Sequence, residues 1–146
     1  MKCAKDVYNN IDRVYVLAAQ NVSSATITKT TLIDTKGLQG VCFAVVCSAY
    51  AGGTGATMKL VEGDATADSG LTDVASTDYE ASSLTLCTSG SDDEAVHYVS
   101  YKGNKRYVGL NITTTESTSA CYLGVIAETF FHENSPITRQ TATART

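Results

Sequence analysis

The sequence has no tryptophan, one proline and no long run of apolar residues. A transmembrane helix needs about 20 consecutive apolar residues, so no membrane-spanning helix is predicted and no membrane partner is expected. The first residues, Met1 to Asp6, lack the apolar stretch of a signal peptide. We therefore expect the protein to be made in the cytoplasm and not to follow a signal-peptide pathway.

Basic residues are also few, because 11 lysines and arginines stand against 15 aspartates and glutamates, for a net charge of −4. Nucleic-acid-binding domains are usually basic, since neutralisation of phosphates supplies much of their affinity. The charge balance argues against nucleic acid as a partner, although it leaves room for a local basic patch.

The cysteines form no Cys-x-x-Cys pair, and the two histidines do not share a metal-binding spacing. An odd number of cysteines without such spacing argues against a disulfide framework and against a zinc site. Free cysteine is among the most often buried residues, so we expect buried free thiols that act as small apolar side chains. No metal and no cofactor is predicted. The five cysteines are Cys3, Cys42, Cys47, Cys87 and Cys121.

Threonine and alternating apolar residues are abundant, and both are typical of β-strands. Roughly one residue in seven is threonine, a residue that fits half-buried strands. The run VCFAVVC at 41–47 is apolar on both faces and predicts a central strand covered on both sides. The other runs lie at 13–17, 25–33, 57–62, 83–87, 95–101, 107–112 and 121–127.

About eight strands separated by turns predict an all-β fold, a single antiparallel β-sandwich of jelly-roll-like form with extended N- and C-terminal arms. The domain spans 13–131, the N-terminal arm 1–12 and the C-terminal arm 132–146. The C-terminal arm has no apolar period, so we expect a neighbouring subunit to hold it, with Arg139 paired to a carboxylate. The predicted core comprises Val41, Phe43, Val45, Leu110, Ile112, Leu123 and Val125.

Residue patterns typical of catalysis are scarce. His97 alternates with Val96 and Tyr98 and is expected to be structural, and no serine stands in a Gly-x-Ser-x-Gly frame. The acidic segments 64–68 and 91–94 do not match the calcium-binding loop. No catalytic residue is predicted, and we do not expect an enzyme.

A basic turn with Lys102, Lys105 and Arg106 separates two alternating runs and is predicted to be a hairpin. Three interpretations remain open for it. Nearby tyrosines are compatible with a nucleic-acid site, a solvated turn needs no partner, and an acidic protein partner would be met by the three cations.

Five features follow one another along the chain: IDTKGL at 33–38, an apolar strand, TDV at 72–74 after an acidic loop, YKGNKRYV at 101–108, and GVIA at 124–127 before Pro136. In this order they resemble a group of small tailed-phage head proteins, the capsid cement or decoration proteins encoded beside the major capsid protein. The resemblance covers about 30–136, and its most specific element is the string at 101–108. The chain departs from the pattern at Gly109, where the family often has a second arginine.

The resemblance implies a jelly-roll-like sandwich that clamps neighbouring subunits of a phage head assembled in the host cytoplasm. The implied partner is the major capsid protein, with the chain itself a dimer or trimer on the capsid surface. The alternative is a carbohydrate-binding sandwich of a phage tail or fibre, which needs an aromatic platform; the chain has eight tyrosines and three phenylalanines. The residues predicted to contact the capsid are Lys102, Lys105, Arg106, Arg139 and Arg145.

Overall fold

The structure, a computed structural model, describes residues 11–22, 27–50, 55–87, 95–114, 121–131 and 142–146, without the side chains of 48–50, 121 and 131. These ranges contain eleven β-strands and one turn of 3-10 helix at Asp68–Gly70. In the same ranges, no helix has the length and apolar character needed to cross a membrane.

The first sheet, sheet A, has five antiparallel strands in the order β1-β11-β4-β9-β7. Its two long central strands, β4 and β11, pair along most of their length. The central position predicted for the run at 41–47 is therefore confirmed. The strands are β1 (Ile11–Val22), β4 (Leu38–Tyr50), β7 (Tyr79–Ala81), β9 (Val96–Tyr101) and β11 (Cys121–Phe131).

The second sheet, sheet B, has six antiparallel strands, four of them in the order β2-β10-β5-β6. The other two are short, with β3 paired to β10 and β8 paired to β5. The strands are β2 (Ile27–Lys29), β3 (Ile33–Asp34), β5 (Ala56–Gly63), β6 (Thr72–Asp73), β8 (Thr85–Leu86) and β10 (Tyr107–Thr114).

The two sheets pack face to face over one apolar core. Successive side chains of a strand point to opposite faces, so alternate residues of β4, β5, β10 and β11 enter this core. All seven predicted core residues are exposed by 1% or less. The predicted all-β antiparallel sandwich is confirmed.

One face of β4 is less covered than the sequence predicts. Phe43 and Val45 point into the core and are fully buried, whereas Val46 on the opposite face is 38% exposed and Cys42 is half-buried. The prediction of a strand covered on both sides is wrong for Val46, because the described part of the chain places no further layer over that side of sheet A.

The ends of the chain differ from the predicted arms where the structure describes them. Strand β1 begins at Ile11, so two residues of the predicted N-terminal arm belong to the sandwich, and residues 1–10 lie outside the described part. Residues 132–141 also lie outside it. Residues 142–146 return to the sandwich, where Thr143 and Leu32 form a pair of backbone hydrogen bonds of 2.8 and 2.7 Å.

The cysteines correct one prediction. Cys42 and Cys47 are thiols outside any disulfide, as expected, and Cys47 is buried. Cys87 is also buried but is disulfide-bonded, so the expectation of a free thiol is wrong at this position. Cys3 lies outside the described residues, and the side chain of Cys121 is not described.

Candidate functional site

The basic turn, residues 102–106, joins the two sheets instead of forming a hairpin. It follows β9 in sheet A and precedes β10 in sheet B, and these two strands do not pair with each other. The predicted hairpin is therefore corrected to a connection between sheets. Such a connection crosses the end of the sandwich, which brings its side chains near carboxylates of both sheets.

Each of the three cations in the basic turn has a carboxylate partner within the chain. Lys102 Nζ lies 2.8 Å from Glu80 Oε1, and Lys105 Nζ lies 2.6 Å from Asp64 Oδ2. Arg106 donates from Nε and Nη2 to the carboxylate of Asp34 over 2.9–3.3 Å.

These ion pairs lower the pKa of the acids. Burial works to raise the pKa of Asp34, but hydrogen bonds from Arg106 and the backbone of Lys36 outweigh it and lower the pKa below its usual value. The hydrogen bond from Lys105 lowers the pKa of Asp64, and that from Lys102 lowers the pKa of Glu80. The turn is thus a set of in-chain ion pairs more than a patch of unpaired positive charge.

Tyr101 anchors the base of this turn. Its hydroxyl donates to Glu62 Oε2 at 2.5 Å and accepts from the backbone N–H of Lys105 at 2.9 Å. Burial and the bond to Glu62 raise the pKa of the phenol, so it stays protonated. Gly103 lies against the ring, where a Cβ would come within 2.5 Å of ring atoms. These contacts give the turn a defined shape.

The two arginines of the predicted C-terminal arm have different outcomes. Arg139 lies outside the described residues. Arg145 packs against other residues of the same chain, and its side chain is only 8% exposed. It donates to Thr30 O at 2.7 Å, Asn111 Oδ1 at 2.7 Å, Leu110 O at 2.8 Å and Asp68 Oδ1 at 3.3 Å.

Residues 142–146, here called the latch, thus occupy a notch on the outer side of sheet B. Thr146 adds two backbone bonds, from its N–H to Thr66 O at 3.2 Å and from the N–H of Asp68 to its own carbonyl at 3.0 Å. Lys29 also pairs with Asp68 beside Arg145. We call the receiving surface, formed by 29–32, 66–68 and 109–111, the notch.

An uncovered apolar surface among the described residues lies on the outer side of sheet A. The strand register places Tyr15, Ile126, Ala44 and Tyr98 in one row across four strands. A second row brings Gly124, Val46 and Val96 together. We call these two rows the apolar face.

Several side chains of the apolar face are well exposed. Tyr15 is 58% exposed, Tyr98 49% and Val96 43%. The hydroxyl of Tyr15 accepts a hydrogen bond of 2.8 Å from the backbone N–H of Ala19, so its polar atom already has a protein partner. Burying such a surface against a partner is favourable, because it removes apolar area from water.

The apolar face is bordered by a polar row. This row contains the ion pair of Arg13 and Glu128 at 2.8 Å, followed by Cys42 and Ser100 on the next strands. Burial and the nearby Glu128 raise the pKa of Cys42, which keeps its thiol protonated. The face therefore has an apolar part and a charged rim, the usual composition of a protein interface.

Chemistry-bearing groups do not converge among the described residues. No group of three or more histidines, cysteines, aspartates or glutamates is placed to hold a metal ion there. His97 points inward, and its Nε2 is buried without a hydrogen-bond partner in the described part of the chain. A cleft of about 250 Å³ beside the basic turn, lined by residues such as Thr35, Gln39 and Asn104, falls below the usual volume of small-molecule sites.

Sequence reasoning missed the apolar face and the notch, although a signal existed for each. Ala44 and Val46 made β4 apolar on both sides, a pattern that also fits an uncovered docking strand. Gly109, a glycine inside a predicted strand, marked the position beside which Arg145 lies. No protein-family model, no curated protein and no solved structure matches the chain.

Proposed function

We propose that this protein is a structural virion protein, a capsid cement or decoration protein that binds the assembled head of a tailed phage and stabilises contacts between major capsid protein subunits. The observation that carries the proposal is the apolar face of sheet A, a broad docking surface on a sandwich. The resemblance of the string at 101–108 to phage head proteins supplies the identity of the partner.

The apolar face suits a large, relatively flat partner. Its rows run across neighbouring strands about 4.8 Å apart, so Tyr15 and Tyr98, three strand steps apart, are separated by about 14 Å. Tyrosine is enriched in interface centres because it combines a large apolar ring with a polar end. A capsid surface presents enough area to cover the whole face.

The basic turn has a lesser role in this proposal than the sequence suggested. Because Lys102, Lys105 and Arg106 are paired with acids of the same chain, a capsid carboxylate would have to compete with an existing partner. Exposed ion pairs are individually weak, and such an exchange would bring little net affinity. We therefore assign the main docking contact to the apolar face.

The test is co-sedimentation of the purified chain with phage heads built from the neighbouring major capsid protein and lacking this protein. Val96→Lys places a charge in the apolar face, and burying that charge against the shell is costly. We expect the apparent Kd to rise at least ~10-fold, equivalent to about 1.4 kcal/mol.

Ile27→Lys is the matched control, because Ile27 is 54% exposed but lies on β2 of sheet B. Its binding should equal that of the unaltered chain. Failure of the unaltered chain to sediment with heads, or equal binding by the Val96 variant, would contradict the proposal.

A second candidate is carbohydrate binding, which the exposed tyrosines of the apolar face favour. Tyr15 and Tyr98 present rings on one side of the sheet, and aromatic rings are suitable platforms for sugars. A glycan array probed with the unaltered chain distinguishes the two functions. Binding that is lost in Tyr98→Ala, together with absence from heads, would favour the carbohydrate module.

A further inference from the structure

The other cysteines narrow the choice of a disulfide partner for Cys87. Cys87 is disulfide-bonded, whereas Cys42 and Cys47 are thiols outside any disulfide. The chain contains five cysteines, so within one chain the bond goes to Cys3 or to Cys121. Of these two, only Cys121 has a described backbone position.

Cys121 and Cys87 lie at the same end of the sandwich. Cys121 is the first residue of β11, and it lies opposite Val22 and Tyr50, the last residues of β1 and β4. Strand β9 runs away from this end of sheet A and reaches β10 through the basic turn. Strand β10 then runs back along sheet B and ends beside the start of β5. Cys87 is located there, because it directly follows β8, which pairs with the first residues of β5.

The two cysteines belong to opposite sheets and border the same core. Strand β11 is part of sheet A, and β8 is part of sheet B. Cys87 is 1% exposed and lies in the core between the sheets. Leu123 lies in this core as well, and positions two apart on a strand share one side of the sheet. Position 121 is therefore on the core side of β11.

The backbone of Cys87 has an uncommon conformation. Its φ is +53°, and no other described residue except glycine has a positive φ. A residue with a side chain keeps such a conformation where the surrounding structure holds it there. A covalent bond from Cys87 to the opposite sheet supplies such a restraint at the point where the chain leaves β8.

The connection from β1 to Cys3 is too short for this bond. Cys3 precedes Ile11 by eight positions, and Ile11 pairs with Phe130 at the other end of sheet A. Eight residues extend over at most about 29 Å, whereas β11 rises about 30 Å from Phe130 back to Cys121. A fully extended segment would fall short of the end at which Cys87 lies.

We propose that the disulfide joins Cys87 to Cys121 and acts as a redox-controlled strap between the two sheets. In the oxidised chain a covalent bond closes this end of the sandwich, and in the reduced chain packing alone closes it. Glutathione disulfide can oxidise the two thiols through a mixed disulfide, and the two electrons and two protons leave with two molecules of glutathione. The strap does not rest on capsid binding.

The first test is a disulfide map of the unaltered, unreduced chain. Thiols are blocked with iodoacetamide during unfolding, the chain is cut with trypsin, and linked peptides are identified by mass spectrometry. The peptide of Cys87 should be linked to that of Cys121. A link from the Cys87 peptide to any other cysteine-containing peptide would overturn the proposal. Cleavage after lysine and arginine separates the three candidates into peptides 60–102 for Cys87, 107–139 for Cys121 and 3–5 for Cys3.

The second measurement tests the redox control by amide hydrogen exchange, with and without dithiothreitol. Opening of one end of a fold exposes its amides without global unfolding. Reduction should therefore accelerate exchange at 84–87 and 121–123 at least ~10-fold more than at 107–110, beside the basic turn. Equal acceleration in these regions, or none, would overturn the strap.

Two variants complete the second measurement. Cys121→Ser should exchange like the reduced chain whether or not dithiothreitol is present. Cys3→Ser is the matched control and should respond to dithiothreitol like the unaltered chain. The reverse pattern, with the response lost in Cys3→Ser and kept in Cys121→Ser, would overturn the assignment of the partner.

Discussion

At the residue scale, Gly109 determines what sheet B can hold on its outer side. Its neighbours Val108 and Leu110 point into the core, so position 109 points outward, under Leu32 and the guanidinium of Arg145. The second arginine that the resemblance leads one to expect here would require the space that Arg145 occupies.

Gly109→Ala should therefore destabilise the protein. The added methyl would meet Leu32 and Arg145 at contact distances of 2.8 and 3.0 Å, and overpacking of this kind costs about 1–3 kcal/mol. Urea denaturation measures the free energy of unfolding. Gly70→Ala is the control, because nothing lies within 4 Å of its added methyl; its stability should be unchanged or slightly higher. Equal stabilities of the two variants would contradict the packing at Gly109.

At the element scale, the ion pairs of the basic turn stabilise the connection between sheet A and sheet B. Its carboxylate partners come from both sheets, since Glu80 belongs to β7, Asp34 to β3, and Asp64 follows β5. The charge cluster that suggested a partner contact is thus used within the fold. Local charge counting cannot distinguish these two uses, because the acids lie 22 to 72 positions away in the sequence.

Acid should weaken the ion pair of Asp34 with Arg106. The folded-state pKa of Asp34 lies below its usual 3.8, so the unfolded chain binds more protons as the pH falls through that range. The stabilisation is present above the usual pKa and is lost as the pH drops through the lowered one. We expect the unfolding free energy to decrease from about pH 5 to about pH 3, with a shallower slope in Asp34→Asn. Urea titrations at successive pH values measure this slope.

Salt provides the check on this prediction. At about 1 M salt the Debye length falls to about 3 Å, so exposed charges interact weakly. Such salt should reduce the difference in slope between the unaltered chain and Asp34→Asn. Identical slopes in the two proteins at low salt would show that the pair with Arg106 contributes nothing to acid sensitivity.

At the scale of the whole molecule, the described residues form two sheets around one core, and the outer sides of these sheets differ. Sheet B carries the latch, whereas sheet A presents the apolar face. The disulfide of Cys87 adds a covalent constraint. Disulfides are rare in a reducing cytoplasm but persist at virion surfaces, so under the proposed function this bond would form after the particle leaves the cell.

The disulfide gives a prediction that is independent of function. One bond among five cysteines leaves three free thiols, so thiol titration of the unfolded, unreduced chain should give about three per molecule, and about five after reduction. Reduction should lower the unfolding free energy by about 2–4 kcal/mol. Cys87→Ser should show no effect of reductant on stability. Five reactive thiols before reduction would rule out the bond.

The sequence by itself determined the fold class and most of the core. Alternation in β4, β10 and β11 is a local property with a period of two, and one-sided burial follows from it, so residues such as Phe43, Leu110 and Val125 could be assigned to the core. Strand β6, by contrast, contains only two residues and carries no periodic signal. It forms by pairing with the neighbouring β5.

Only the tertiary structure decided which charges pair and which apolar side remains open. Lys105 and Arg106 find carboxylates that are far away in sequence, and Arg145 enters a space that Gly109 vacates. The sequence around Val46 predicts a core residue, because the apolar run that contains it also contains Val45. Its exposure depends on whether another layer covers sheet A, which is a long-range property of the assembled chain. Local periodicity fixes the direction of a side chain, and only packing fixes what it meets.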